Sequence, residues 1–308
     1  MKLIILGSAA GGGFPQWNSN AAACRRARSG DPAALSRTQS ALAVSADGQS
    51  WYVLNAAPDL RAQIQATPAL WPSDGLRGSP IAGVVLTGGD VDAIAGLLHL
   101  RERHRFTLHA TASVLGVLDS NRIFDVLARD CVTRRALPLD QPVTLTPPDG
   151  GAPALQLRAF AVPGKVPLYL EGANFDPSKF VEDDTTVGLE FWQDGGPHGF
   201  FIPGCATMTA ALATRLEGAQ LVLFDGTLWT DDEMIRLGLG AKTGRRMGHI
   251  SVDGPDGAIA AFARLGVARK IFVHINNSNP MLLADSAERR AVLAAGWDVA
   301  HDGMELTL

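Results

Sequence analysis

Apolar runs of strand length in this chain stop repeatedly at a polar or glycine-rich step, and this punctuation limits the fold more than any other feature. The strand candidates are Leu3–Leu6, Ala41–Val44, Trp51–Leu54, Gly83–Thr87, Phe106–His109, Leu155–Val162, Val187–Phe191, Gly199–Ile202, Leu221–Phe224 and Lys270–Val273. Between them, helical patterns cover Pro58–Gln65, Asp90–Arg103, Thr111–Leu118, Thr207–Leu216, Asp253–Arg264 and Ser286–Ala295. Asp253 and Ser286 mark N-cap neighbourhoods, and Gly296 stops the last helix.

The order is strands first, then helices mixed with strands, then strands again. It predicts an α/β chain in which two mixed sheets pack together with helices outside, rather than a strict βαβ array. The 308 residues are 46% hydrophobic and 19% charged, enough for a large core. We expect a single domain over 1–308. The turn-rich stretch Thr146–Pro153 reads as a boundary or, better, as a hairpin connection. A net charge of −4 gives no basic field for nucleic acid. The opening Met1–Gly7 is too short for a signal-peptide core, and no segment has the length of a membrane span. Three scattered cysteines, Cys24, Cys131 and Cys205, argue for a reducing, cytoplasmic setting.

Six segments could carry chemistry. Gly7-Ser-Ala-Ala-Gly-Gly-Gly13 follows a strand, but it lacks the dinucleotide spacing and reads first as a turn where backbones meet closely. Asp90 and Asp92 follow Gly88-Gly89 where a helix begins, so they either cap it or bind a cation. Asp225 ends an apolar run in Phe224-Asp-Gly-Thr-Leu-Trp229, as a site carboxylate or as a turn. Lys242, Arg245 and Arg246 precede His249 in one loop and could clamp carboxylates, although a charge run is commonly a solvated face. His274 ends a strand and leads into a cluster containing Asn276 and Asn277 that would be costly to bury without purpose. Cys205 ends a short strand, either as a buried inert thiol or as a metal ligand. His99, His104, His109, His198 and His301 lack such company, and His99 is read as packing.

The ordered set resembles the metallo-β-lactamase fold. That fold's motif, Thr-His-x-His-x-Asp-His followed by Gly-Leu, stands here as Thr87-Gly88-Gly89-Asp90-Val91-Asp92-Ala93 with Gly96-Leu97. More closely, the chain is similar to the family of coenzyme PQQ synthesis protein B. The likeness lies in Ala10-Gly-Gly-Gly-Phe-Pro-Gln-Trp-Asn18, the run from Phe224 to Met234, Met247-Gly-His-Ile-Ser-Val-Asp-Gly-Pro-Asp256, Val273-His-Ile-Asn-Asn-Ser-Asn-Pro280 and the segment from Gly296 to Glu305. The resemblance implies a part in PQQ biosynthesis: iron-dependent hydroxylation of the tyrosine ring of a Glu–Tyr-derived precursor, or carriage of PQQ or a precursor towards the periplasm. It implies Asp90, Asp92, His249 and His274 as metal ligands, Cys205 at the usual place of a bridging aspartate, and Asp225 orienting a ligating histidine. Lys242, Arg245, Arg246, Asn276 and Asn277 would bind an acidic small molecule, PQQ or its precursor. The donor set suits Fe(2+), with Zn(2+) as an alternative in the same site. The chain has Ser19 and Ala21 where many members carry cysteines, and Cys24 alone cannot build a structural cysteine–zinc site. Gly88 and Ala93 replace histidines that a hydrolytic two-zinc site would use. The oligomeric state stays open, a homodimer included.

Overall fold

The computed structural model describes residues 1–73, 75–150, 155–165, 169 and 182–308. Two seven-stranded sheets form the middle of the molecule. The first contains β1 (Lys2–Gly7), β2 (Ala41–Ser45), β3 (Trp51–Leu54), β4 (Ile81–Val85), β5 (Phe106–Ala110) and β6 (Val132–Ala136) in chain order. The second contains β7 (Pro142–Leu145), β8 (Leu155–Ala161), β9 (Val187–Trp192), β10 (His198–Ile202), β11 (Leu221–Asp225), β12 (Arg269–Val273) and β13 (Asp298–Val299). The last strand, β14 (Met304–Thr307), returns to the first sheet and pairs antiparallel with β1, Leu3 facing Leu306.

The short apolar runs make buried strands because both faces of each sheet are covered. In β1, Leu3 and Ile5 point between the sheets, whereas Ile4 and Leu6 join the cluster under the helices of the first sheet. A strand buried on both faces reads as a continuous apolar run, not an alternation. The inter-sheet layer joins Leu42, Val44 and Leu54 to Leu157, Leu189, Phe191, Leu223 and Ile271. Outside the first sheet lie α2 (Leu60–Ala66), α3 (Val91–Ile94) and α4 (Ala112–Ser120). α1 (Ala22–Arg28), α5 (Ala210–Leu216), α7 (Ala258–Phe262) and α8 (Ala287–Ala294) supply the cover of the second sheet, and α6 (Glu233–Arg236) lies in the loop after β11. This is the four-layer metallo-β-lactamase sandwich that the sequence predicts.

Strands β3 to β6 run parallel, and so do β10 to β13. The carboxyl ends of both parallel sets open on the same cavity, the usual place for a site in such sheets. The turn-rich stretch after β7 is a hairpin connection, since β7 pairs antiparallel with β8 (Leu145 facing Leu155); 151–153 of that stretch lie outside the described residues.

Three helices are shorter than predicted, among them α5, which starts at Ala210 rather than Thr207. The pattern over Asp90–Arg103 forms α3 and then a 3-10 stretch, Ala95–Leu100. The backbone of Ala56 is the reason: its N–H donates to the carbonyl of Ala93 at 2.7 Å, and its carbonyl accepts from Gly96 N at 2.8 Å. Two groups needed for the α-helical ladder are thus taken by another segment. Gly96 allows this approach, because a Cβ there would lie 2.0 Å from the carbonyl oxygen of Ala57. His99 consequently ends exposed rather than packed. In α7 the N-cap is Gly257, not Asp253, whereas Ser286 caps α8 by accepting from Arg289 N at 2.9 Å.

Candidate metal centre

Each wall of the cavity is a strand end followed by an irregular step. After β3, Asn55 takes a left-handed backbone (φ 63°) and its amide accepts from Thr87 N at 2.9 Å and donates to Thr87 Oγ1 at 2.9 Å. This pins the ends of β3 and β4 together and launches the Gly88-Gly89 step. Asp90 is the N-cap of α3, but its side chain makes no capping bond; its carbonyl accepts from Ala93 N. Asp92, the second residue of α3, points its carboxylate at His274, with Oδ2 2.9 Å from Nε2. Neither aspartate is therefore spent as a cap.

His274 directly follows β12 and is also left-handed (φ 54°), an uncommon backbone for a residue with a Cβ. It is held by a parallel bridge of Ile275 to Ala9: Ile275 N donates to Ser8 O at 3.0 Å, and Ala10 N to Ile275 O at 2.8 Å. The glycine-rich first loop is thus the brace behind His274, and its reading as a close backbone turn holds. At Gly7 a Cβ would meet Gln39 O at 2.0 Å. Asp302 fixes the same loop, accepting from Ser8 N and Oγ and from Thr38 N and Oγ1 at 2.6–3.0 Å.

The centre of the site is the hydroxyl of Thr227. Its Oγ1 lies 2.6 Å from Asp225 Oδ1, 2.9 Å from His274 Nδ1 and 3.0 Å from His249 Nδ1. Asp225 is fully buried, and each oxygen accepts twice: Oδ1 from Thr227 N and Oγ1, Oδ2 from Cys205 N at 3.0 Å and from the His249 ring at 2.8 Å. The His249 and His274 rings stack with centroids 5.1 Å apart. Asp225, His249 and His274 lie close enough together to suggest a triple of donors. Yet the Nδ1 atoms and the carboxylate are already paired with one another and with Thr227. That triple is better described as a hydrogen-bonded hub holding both rings than as a coordination sphere.

The electrostatics follow from this geometry. Burial opposes the charge of Asp92, but the hydrogen bond and charge of His274, aided by His249, outweigh it and hold the carboxyl below its ordinary value. Burial likewise opposes protonation of His274, and Asp92, with Asp225 and Asp90 adding to it, raises the imidazole above its usual range. Burial pushes the Cys205 thiol up.

The cavity has a volume of about 660 Å³. Asp90, Asp92, His249, His274, Lys242 and Asn276 line it together with Lys165 and Thr186. The structure does not bring every predicted residue there. Arg245, Arg246 and Asn277 are not among the described lining residues. Arg245 is exposed and its backbone N–H donates to Asp231, so the 3-10 turn Arg245–Met247 directs this part of the basic run away from the cavity. Asn277 is buried beside Cys24 (Sγ to Oδ1 3.6 Å) and donates to Gln16. The Cys205 sulfur donates to Thr207 O at 3.2 Å and lies in the apolar cluster of the second sheet; only its backbone serves the site, through Asp225.

Residues 50–275 match the β-lactamase superfamily domain. The chain is 62% identical over 307 residues to coenzyme PQQ synthesis protein B of Gluconacetobacter diazotrophicus, covering 100% of this chain and 99% of that one. It is 54% identical over 308 residues to the protein of that name from Xanthomonas campestris, covering 100% of both. A solved structure, Zn(2+)-bound PqqB from Methylobacterium extorquens, superposes with a TM-score of 0.95 at 51% identity, covering 100% of both chains. The chain belongs to the coenzyme PQQ synthesis protein B family. The fold and the kinship expected from the motifs are thereby established.

The family's own motifs contained residues whose part the sequence reading passed over. Thr227 lies inside Phe224-Asp-Gly-Thr-Leu-Trp229, where a threonine after Asp-Gly reads as turn chemistry. Asn55 carried one signal, a polar residue directly after an apolar strand. Tyr169, whose hydroxyl donates to Gly89 O at 2.6 Å, carried none.

Proposed function

We propose that this chain works in the synthesis of PQQ, as a metal-dependent oxygenase that hydroxylates the tyrosine ring of a Glu–Tyr-derived acidic precursor. The observation that carries the reading is the pair Asp92 Oδ2 and His274 Nε2, 2.9 Å apart, with the other ring nitrogen of His274 engaged by Thr227. The two atoms share a proton in the metal-free chain, and a divalent cation in its place would take the same ring nitrogen and carboxylate oxygen as ligands.

The donor chemistry fits a divalent ion: Asp92 and His274 would hold it, and Asp90 and His249 line the same cavity. A bound ferrous ion supplies dioxygen activation. The chain's own residues do the rest. Asp225 and Thr227 fix the orientation of the two rings. Lys242, on the cavity wall, would pair with a substrate carboxylate, and Asn276 lines the same wall with its amide bonded to Ser278 and Asn277. The cavity at the strand ends, about 660 Å³, has room for a small-molecule substrate.

Anaerobic reconstitution with Fe(2+), then oxygen uptake in the presence of a tyrosine-containing diacid, tests the reading. Substrate-dependent oxygen consumption supports it. Tight PQQ binding with no oxygen uptake in any metal-loaded form would replace it with the carrier reading. Failure to take up iron or zinc would remove the metal site altogether.

A further inference from the structure

We propose that Lys165 is a specificity-determining residue that binds a second carboxylate of the substrate, so that the metal-loaded site selects a dianion. The inference rests on the reading above, in which Lys242 takes one carboxylate and the aspartate side of the cavity holds a divalent cation.

Lys165 lies in the loop after β8, half-buried, and the fold ties it to both walls that bear candidate metal ligands. Towards the aspartates, its carbonyl accepts from Thr186 Oγ1 at 3.1 Å, and Thr186 forms an antiparallel bridge with Gly88, at the start of the step that leads to Asp90. Gly164 lets these segments meet, since a Cβ there would lie 2.7 Å from Thr186 Cβ. Towards His249, the stem of Lys165 crosses Gly248, whose backbone is left-handed (φ 87°). A Cβ at Gly248 would lie 3.0 Å from Lys165 Cγ. Gly248 immediately precedes His249, so the stem is laid along the histidine wall. Lys242 enters from the other end of that same loop, which closes on itself where His249 N donates to Gly244 O at 2.9 Å. Both lysines line the cavity.

The charges of the wall then give the substrate class. Among the described lining residues, Asp90 and Asp92 are balanced by Lys165 and Lys242. In the metal-free chain an acidic ligand meets two carboxylates as well as two ammonium groups. A divalent cation offsets the two aspartates, and histidines that ligate it are neutral. The loaded cavity therefore keeps two ammonium charges, which two carboxylates on one ligand would match. A ligand with one carboxylate leaves one ammonium group without a counter-charge.

The test is calorimetry on the full-length, zinc-loaded chain with three probes. N-acetyl-Glu-Tyr has both carboxylates, N-acetyl-Gln-Tyr keeps that of the tyrosine, and N-acetyl-Glu-tyrosinamide keeps that of the glutamate. The wild type should bind the diacid about tenfold tighter than either monoacid. Lys165→Gln should weaken the diacid about tenfold, weaken one monoacid by a similar factor and leave the other within about twofold; Lys242→Gln should show the reverse choice of monoacid. Lys165→Arg, which keeps the charge, should retain the preference for the diacid. A wild type that does not separate the diacid from the monoacids overturns the inference. So does a Lys165→Gln chain that binds the diacid unchanged, or one that loses all three probes equally, as removal of a general attractive field would give. The reading on which it rests fails separately. If this pattern is found and no metal-loaded form consumes oxygen, the oxygenase is lost and the second carboxylate site stands. A wild-type chain that takes up no zinc, or a zinc-loaded one that binds none of the probes, overturns the inference.

Discussion

The most exposing test of the structure lies away from the cavity, at His109. It sits in β5 between Val85 and Arg135 on the neighbouring strands, is 3% exposed, and neither ring nitrogen has a hydrogen-bond partner. Burial, with the charge of Arg135 adding to it, lowers its pKa from 6.5 to about 4. The unfolded chain therefore binds a proton on this ring at a pH where the folded chain does not. A depressed histidine contributes stability that is present above the unfolded value and is lost as pH falls from 6.5 towards about 4. At about 1.36 kcal/mol per pH unit, the loss is about 2 kcal/mol at pH ~5 and about 3 kcal/mol once the folded-state value is passed. His109→Leu removes the titration. It also removes two buried polar atoms without partners, so the variant should be no less stable than wild type near pH ~7.5. Urea unfolding at pH ~7.5 and ~5 gives the comparison. Other titrations, including His274 with its opposite sign, are common to both proteins and cancel in the difference. The wild type should lose about 2 kcal/mol more than the variant between the two pH values. Parallel losses, within about 0.5 kcal/mol, would mean that His109 is not neutral and buried in the folded chain.

Three further outcomes follow from the same structure. Asp92→Asn keeps the side-chain shape but gives up the charge facing His274; zinc or iron affinity measured by chelator competition should fall about 100-fold, and the thermal midpoint should fall as well, because His274 loses the carboxylate that offsets its burial. Lys242→Ala should weaken binding of PQQ or another acidic ligand about tenfold by calorimetry, while Arg245→Ala, at an exposed residue off the cavity lining, should leave it unchanged. Gly96→Ala drives a Cβ to 2.0 Å from the Ala57 carbonyl; it should cost about 3 kcal/mol in urea unfolding and reduce bound metal, because the moved backbone carries Asp92.

Which parts of this molecule could be read from its residues depends on how far each role is local. Leu3–Leu6, Trp51–Leu54 and Leu221–Phe224 announced themselves because strands buried on both faces have no choice but to be apolar throughout. β6 and β7 did not: β6 has burial on little more than Val132, and an edge strand of that kind carries Thr, Arg and Pro without penalty. His274 stood out as a polar residue directly after an apolar strand, where burial without a partner is expensive, and Asp92 as one of two acidic residues at a helix start behind Gly88-Gly89. Their meeting across 182 positions of chain needed the kinship or the coordinates.

The basic loop shows the opposite limit. Lys242, Arg245 and Arg246 look equivalent in sequence, yet the 3-10 turn after Gly244 gives Lys242 to the cavity and leaves Arg245 exposed, and nothing in a run of like charges encodes that direction. Thr227 and Cys205 make the point from the other side. The value of a cysteine or a hydroxyl depends on which atoms distant segments bring within 3 Å. At Cys205 the sulfur meets a carbonyl two residues on, and only its backbone N–H reaches Asp225. At Thr227 three separate loops converge on one oxygen. The fold is written in the apolar pattern, whereas the site's finer control rests on convergences that no local pattern records. That is why the residue most worth mutating after Asp92 is a threonine hidden in what reads as a turn.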